Sequence, residues 1–449
     1  MDPHRPDDLR SSTEAIPSRA HAATRLRVAR WGVLVLLASA VASAYLTRHC
    51  LAVANTTMQA ELHINNEEFG YLYSAFSLGY LLFQVPGGWL GQRFGPRVTM
   101  PLLSLLWSIA TVATALMTAL PALVATRFAF GLAQAGLIPN QAKVLENWFP
   151  VESRGSASAA IVMAMSVGSI ASLSLTSWLM QRYDWRSIFL AYSLVGVGWA
   201  VLFYAAFRSR PADVGWLRGA VPSPPRPESP AAGIPRTSGR ETLYRFLSNR
   251  SIWGLTCQAF FKAAGYNLLV TFFPAFLELA YEIPREEAGT LTSWSLIGLV
   301  VGSLLGGWLI DRLQRQTNSK RISRCVVAVT TLTLTAVLML AACGTATARQ
   351  MAAVMAAAAL VSGVANACPW AAIMDIGGSN TAVAMGCLNC GASLAGILVT
   401  PALGQLIDRI RGTAGDWNQV IYIHAAFYLA AGLCWLAVDP ERTIDGPAG

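Results

Sequence analysis

The chain has 449 residues, of which 54% are apolar and 13% charged, and its mean hydropathy is +0.46. That balance excludes an ordinary soluble domain and points to a chain that sits largely in lipid. The net charge of +9 is spread in a way that reports membrane topology and excludes a nucleic-acid footprint, because the basic residues concentrate in alternate loops.

Residues 1–30 are polar and Arg-rich, with no cleavable apolar core, and read as a cytoplasmic tail without a signal peptide. Twelve apolar runs follow, at about 31–56, 69–91, 98–118, 121–143, 155–180, 187–207, 252–277, 288–310, 324–344, 350–374, 381–407 and 418–438, each long enough for a transmembrane helix. An even number of spans puts both termini on one side. That side carries 23 of the 33 Lys and Arg, and the opposite side carries six. The positive-inside rule then makes the termini cytoplasmic, in the plasma (inner) membrane.

The first span contains Tyr45-Leu-Thr-Arg-His-Cys-Leu-Ala52. Tyr45, Arg48, His49 and Ala52 fall on one helix face. Arg inside a span costs about 2.5–3.5 kcal/mol on insertion scales, so it faces protein or a water-filled path. Arg127 lies in the fourth span, Lys143 near its end and Lys262 in the seventh, with Arg324 at a boundary, and the segments as drawn contain no Asp or Glu. Lys143 can snorkel to the interface. For the others a buried structural cation wants an acid partner, so an anionic substrate is the simplest counter-charge. Tyr80 and Gln84, then Arg127, Gly131 and Gln134, then Gln258, Lys262 and Tyr266, then Asn366 and Trp370 each share a helix face. Such polar groups line a path or bond between helices.

The chain is duplicated. Gly87-Gly-Trp-Leu and Gly306-Gly-Trp-Leu lie 219 residues apart, Ser74/Ser293 and Gly79/Gly298 keep that offset, and Asp184-Trp185 is echoed by Asp416-Trp417. Repeats of this kind place a substrate site near the bilayer midplane between the halves. The halves are 31–207 and 251–438, joined by a cytoplasmic linker at 208–250, with a tail at 439–449. Seven prolines between Pro211 and Pro235 keep the linker extended, and 241–250 reads as a short surface helix. All eight Cys lie in spans or at their edges. Cys387-Leu-Asn-Cys390 reads as small core residues and not as a metal or redox pair. No nucleophile–base set, metal cluster or nucleotide loop is legible, so the reading is a transporter, not an enzyme, with no cofactor.

The loop Gly88-x-Leu-x-x-Arg-x-Gly-x-Arg97 resembles the signature of the major facilitator superfamily. Arg48-x-x-Leu-x-Val-Ala54, Ser74 through Trp89, Arg127-Phe-x-x-Gly-Leu-x-Gln-Ala-Gly136, Asn147-Trp-Phe-Pro-x-Glu-x-Arg-Gly155 and Gly386-x-x-Asn-x-Gly together resemble its anion:cation symporter family. The resemblance covers nearly all spans. It implies an all-α membrane protein of twelve transmembrane helices in two pseudo-symmetric six-helix halves. It implies alternating access for a small organic anion such as a sugar acid. By position it assigns substrate contacts to Arg48, Arg127, Tyr80, Asn389 and Trp370, to which the residue pattern adds Tyr45, Gln84, Gln134, Gln258, Lys262 and Tyr266. The expected partners are that anion and membrane lipid, with no nucleic acid, and the chain is expected to be a monomer.

The departures bear on coupling. Proton-coupled members of that family carry an Asp where Thr47 stands and a Glu where Gln134 stands, and Gln92 replaces the loop Asp. Neither Thr nor Gln titrates. His49 is the remaining candidate in the cavity, but burial and the adjacent Arg48 both disfavour a second positive charge there, and His424 lies in the last span. The expectation is uniport or anion exchange. A first-span Arg with a seventh-span cation also resembles the organophosphate/phosphate antiporters. A transporter-like anion receptor is the alternative from another class.

Overall fold

The computed structural model describes residues 19–217, 246, 248–267, 273–413 and 417–444. Most of the tail, the linker from 218, most of the expected surface helix, Asp416 and the last five residues lie outside the described residues. The helices are α1 Arg19–Leu62, α2 Asn66–Phe94, α3 Pro96–Leu116, α4 Leu120–Ala135, α5 Leu137–Trp148, α6 Arg154–Leu179 and α7 Trp185–Ala206. After the linker come α8 Arg250–Asn267, α9 Phe273–Ala280, α10 Arg285–Thr317, α11 Val327–Ala342, α12 Ala348–Val364, α13 Ala367–Ile376, α14 Thr381–Thr413 and α15 Asn418–Cys434, with a π turn at Arg321–Val326 leading into α11. The fourth and tenth spans are each two helices, broken at Gly136 and at Ala365–Asn366.

Ten of these segments are long and apolar enough to cross a membrane by length and composition. The other two spans are α2 and α8, whose faces carry Gln84 and Gln92, and Gln258 and Lys262. Large apolar side chains such as Leu194, Val201, Ile109 and Leu436 point outward, as a lipid-facing surface requires. Short loops are closed by local chemistry. Asn65 and Glu68 cap α2 reciprocally at 2.8 Å, a capping box. Gly95 takes φ 80° between α2 and α3, a turn that suits glycine. Asp184 caps α7 through Ser187, and the Ser187 hydroxyl and amide hold its carboxyl below the usual range.

The duplication is visible in the packing. In the first half α1 packs on α6, α2 on α4 and α3 on α7; in the second α8 packs on α14, α10 on α12 and α11 on α15. Both halves therefore pair their spans in the same order. Glycines set the closest approaches: a Cβ on Gly131 would stand 2.2 Å from the Phe76 carbonyl oxygen, and one on Gly79 2.3 Å from that of Phe128. Small residues let backbones approach in membrane bundles. Overpacking costs about 1–3 kcal/mol, so Gly131→Ala is expected to lower the thermal stability of the purified protein by about that amount, whereas Gly198→Ala, where a Cβ meets open space, leaves the melting curve in place.

The halves meet along α2–α14 and α6–α10, and the polar joints lie toward the side of the termini. Three carboxylates excluded from the sequence-drawn spans lie in the helices as built. Glu146 in α5 pairs with Lys143 at 2.8 Å, and Lys143 also reaches the Gly378 carbonyl of the other half at 3.0 Å. Asp311 of α10 accepts from the Gly155 and Ser156 amides at 2.9 and 2.8 Å, capping α6 across the joint where an anion is favoured. Asp375, at the end of α13, accepts from Arg154 at 3.0 Å and Arg324 at 3.2 Å. The boundary cation Arg324 is therefore structurally paired, and the tenth span simply runs past its drawn end.

Candidate functional site

Midway along the helices, α1, α2 and α4 bring together the residues that the first-half motifs single out. Arg48 of α1 is half-buried and its Nε donates to Gln134 Oε1 at 3.0 Å. Gln134 is itself held, since its Nε2 donates to the Ala44 carbonyl at 2.9 Å and to Thr47 Oγ1 at 3.3 Å. Thr47 and Gln134 thus form a neutral clasp beside Arg48. The guanidinium carbon of Arg48 lies 4.7 Å from the Tyr45 ring centre, 4.9 Å from Phe76 and 4.8 Å from Tyr80. Three rings and one amide fix the group and leave it a weakly hydrated cation suited to bidentate recognition. Among the described residues no carboxylate lies within salt-bridge distance of it.

Arg127 of α4 is placed differently. It is 1% exposed, packs 4.4 Å from the Phe130 ring and 5.8 Å from Phe76, and its Nε and Nη1 have no hydrogen-bond partner among the described residues. The Phe76 ring is shared by both guanidiniums. Arg48 is the half-buried cation, stacked on the cavity-lining Tyr45, and Arg127 is the fully buried one. A buried guanidinium with unused donors is costly to keep.

In the second half Lys262 of α8 is half-buried and donates to Asn366 Oδ1 at 2.6 Å. Asn366 sits at the α12–α13 break and donates to Ser303 Oγ of α10 at 2.7 Å. Tyr266, one turn from Lys262, is 39% exposed. A cavity of about 180 Å³ between the halves is lined by Tyr45, Ser166, Ser169, Tyr266, Ser303 and Asn366, among others. So Tyr45 of the Arg48 cluster and Asn366 of the Lys262 chain line the same cavity.

The remaining candidates scatter. Gln84 is fully buried and bridges the halves, with its Nε2 3.3 Å from Ser393 Oγ. Gln258 and Trp370 are buried, and Trp370 belongs to the apolar core. Asn389 is half-buried with an unpartnered Nδ2. His49 packs on Tyr45 with ring centres 5.7 Å apart. His424 is fully buried, with Nδ1 on the Val420 carbonyl of its own helix, which keeps it out of the cavity. Sequence reasoning missed Phe76 and Ser303. Phe76 stands one turn before Tyr80, and Ser303 keeps the 219-residue offset from Gln84, so the repeat could have pointed to it. Among the described residues no group of His, Cys, Asp and Glu could hold a metal.

The model of the Major Facilitator Superfamily matches residues 37–318 and again 255–449, an overlap that the duplication explains. A Cupriavidus necator protein named "Probable sulfoacetate transporter" is 25% identical over 415 residues, covering 90% of this chain and 92% of that one. The D-galactonate transporter of Escherichia coli is 28% identical over 304 residues, covering 66% and 70%. The crystal structure of a superfamily transporter, FucP, in the outward conformation superposes with a TM-score of 0.66 at 15% identity, covering 91% of this chain and 99% of that one.

Proposed function

The chain belongs to the Major Facilitator Superfamily, and from that premise we propose that it carries a small organic anion, a carboxylate of the sugar-acid kind, across the inner membrane by alternating access. The observation that carries this reading is Arg48, an oriented guanidinium stacked on the cavity-lining Tyr45 with no acid to neutralise it among the described residues. An incoming carboxylate supplies the missing charge through charge-assisted hydrogen bonds. Tyr45, Tyr80, Tyr266 and Asn389 offer hydroxyl and amide groups for the sugar hydroxyls. The similarity to transporters named for sulfoacetate and galactonate supports an acid as cargo. The charge asymmetry of the loops supports cytoplasmic termini. With that orientation the Glu146, Asp311 and Asp375 contacts close the cytoplasmic end, and the site faces outward. Rocking of the halves about the midplane site would then break those contacts. Phosphate-ester exchange fits less well, because the first-half motifs that surround Arg48 are those of the carboxylate carriers.

Coupling follows from the clasp. Thr47 and Gln134 cannot bind and release a proton, and His49 packs on Tyr45 next in sequence to Arg48. The expected mode is uniport or anion exchange. In proteoliposomes with the membrane potential clamped, an inward proton gradient alone is expected to give no accumulation of labelled sugar acid, while internal unlabelled acid drives counterflow. Accumulation by the pH gradient alone would overturn the coupling statement, and failure of counterflow with every acid would overturn transport itself. The double variant Thr47→Asp with Gln134→Glu is expected to acquire pH-dependent uptake.

A further inference from the structure

The function proposed above needs one cation, yet the other half holds a second, Lys262, whose hydrogen-bond partner Asn366 lines the cavity. Lys262 makes no ion pair among the described residues. Its one recorded hydrogen bond goes to a neutral amide, Asn366 Oδ1, at 2.6 Å. An ammonium has three donors, so two remain for a ligand. Asn366 has spent one N–H on Ser303 Oγ at 2.7 Å and keeps the other. Ser303 is in turn tied to the Leu299 carbonyl at 2.8 Å. The chain from Lys262 through Asn366 to Ser303 is therefore positioned at its far end. It ends on the wall of the cavity that Tyr45 closes on the Arg48 side.

Position in the fold strengthens the argument. Asn366 lies where the tenth span is interrupted, between α12 and α13. Interrupted helices are where membrane carriers place ligand contacts, because backbone polar groups are available there. The fourth span is interrupted at the equivalent place, beside Gln134, which orients Arg48. Each half thus contributes the same construction: a cation on one span, oriented by an amide at the break of another. A cation kept in an apolar span without an acid has a functional reading by default.

Resting on the organic-anion reading, we infer that the substrate carries two acidic groups, one taken by Arg48 and the other by Lys262 with Asn366. The class is a small dianion, a dicarboxylate sugar acid or a short sulfo-carboxylate. The cavity volume of about 180 Å³ is well above the roughly 10–15 Å³ that one water needs, which leaves room for a small molecule. A dianion bridging the halves also makes closure depend on both of its ends.

The test measures dissociation constants of the full-length protein for two matched pairs. One pair is a six-carbon sugar diacid and the monoacid that bears a hydroxymethyl group in place of the second carboxylate. The other is a short sulfo-carboxylate and the same carboxylic acid without the sulfonate. A hydrogen-bonded charge contact is worth roughly tenfold or more in affinity. The wild type is expected to prefer the dianion of at least one pair by that factor. Lys262→Gln is expected to erase the preference by weakening the dianion at least tenfold more than the monoacid, with an unshifted melting curve reporting that the variant is folded. Asn366→Ala is expected to reduce the preference in the same direction. Equal binding of both members of each pair by the wild type, or a preference that survives Lys262→Gln, overturns the inference and leaves the anion reading intact. No binding of any acid, with Arg48→Gln indistinguishable from wild type, overturns the anion reading itself.

Discussion

Arg48→Lys is expected to abolish sugar-acid uptake in reconstituted vesicles while the protein stays folded. The charge is conserved in this change, so a purely electrostatic role would survive it. What is lost is the planar fork, its stacking on Tyr45, Phe76 and Tyr80, and the Nε bond to Gln134. Lys is a compact, strongly hydrated point charge and cannot replace a bidentate, ring-stacked guanidinium. Truncating one partner of a buried, hydrogen-bonded charge pair costs about 2–5 kcal/mol or more, which is roughly thirtyfold to several thousandfold in affinity. Uptake kinetics and direct binding should fall together. An Arg48→Lys protein with wild-type KM would remove Arg48 from substrate contact.

Arg127→Lys is informative beside it. If Phe76 stays in place during transport, Arg127 never meets the acid and the variant should act through stability alone. If the ring moves, both uptake and binding suffer. Phe76→Ala then separates the cases, because it opens Arg127 to the cavity.

The second large effect is expected at Asp375→Asn. The carboxylate is 0% exposed and lies among Arg154, Arg324 and Lys320, with contacts at 3.0, 3.2 and 4.0 Å. Arg324 is likewise 0% exposed and its Nη1 has no hydrogen bond, so the loss of Asp375 leaves it a buried cation without a counter-charge. Breaking such a pair costs about 3–5 kcal/mol. The thermal midpoint of the purified protein should drop sharply, with low yield on expression. Arg154→Gln cuts only the arm that crosses between the halves. It should cost less in stability and instead loosen the closed cytoplasmic end, read as greater labelling of a cysteine placed at Ser379 from that side. An unchanged melting curve for Asp375→Asn would show that the cluster is not a stability element.

Much of this protein was legible before any helix was placed. Twelve apolar runs, the 219-residue repeat and the position of Arg48 follow from local pattern alone, because lipid forces every span to satisfy its own backbone and makes each charge within it conspicuous. That Thr47 and Gln134 do not titrate is also a matter of identity, readable without geometry. What the tertiary structure decided concerns neighbours drawn from distant helices. Gln134 reaches Arg48 across 86 residues, and Asn366 reaches Lys262 across 104. No periodicity predicts which amide faces which cation. The Phe76 ring comes between Arg48 and Arg127 only because Gly79 and Gly131 let α2 and α4 touch. Arg324 found its acid because α13 continues past the apolar run to Ile376 and so carries Asp375. Helix ends and helix faces are fixed by packing between elements, and the physics of a single span contains neither.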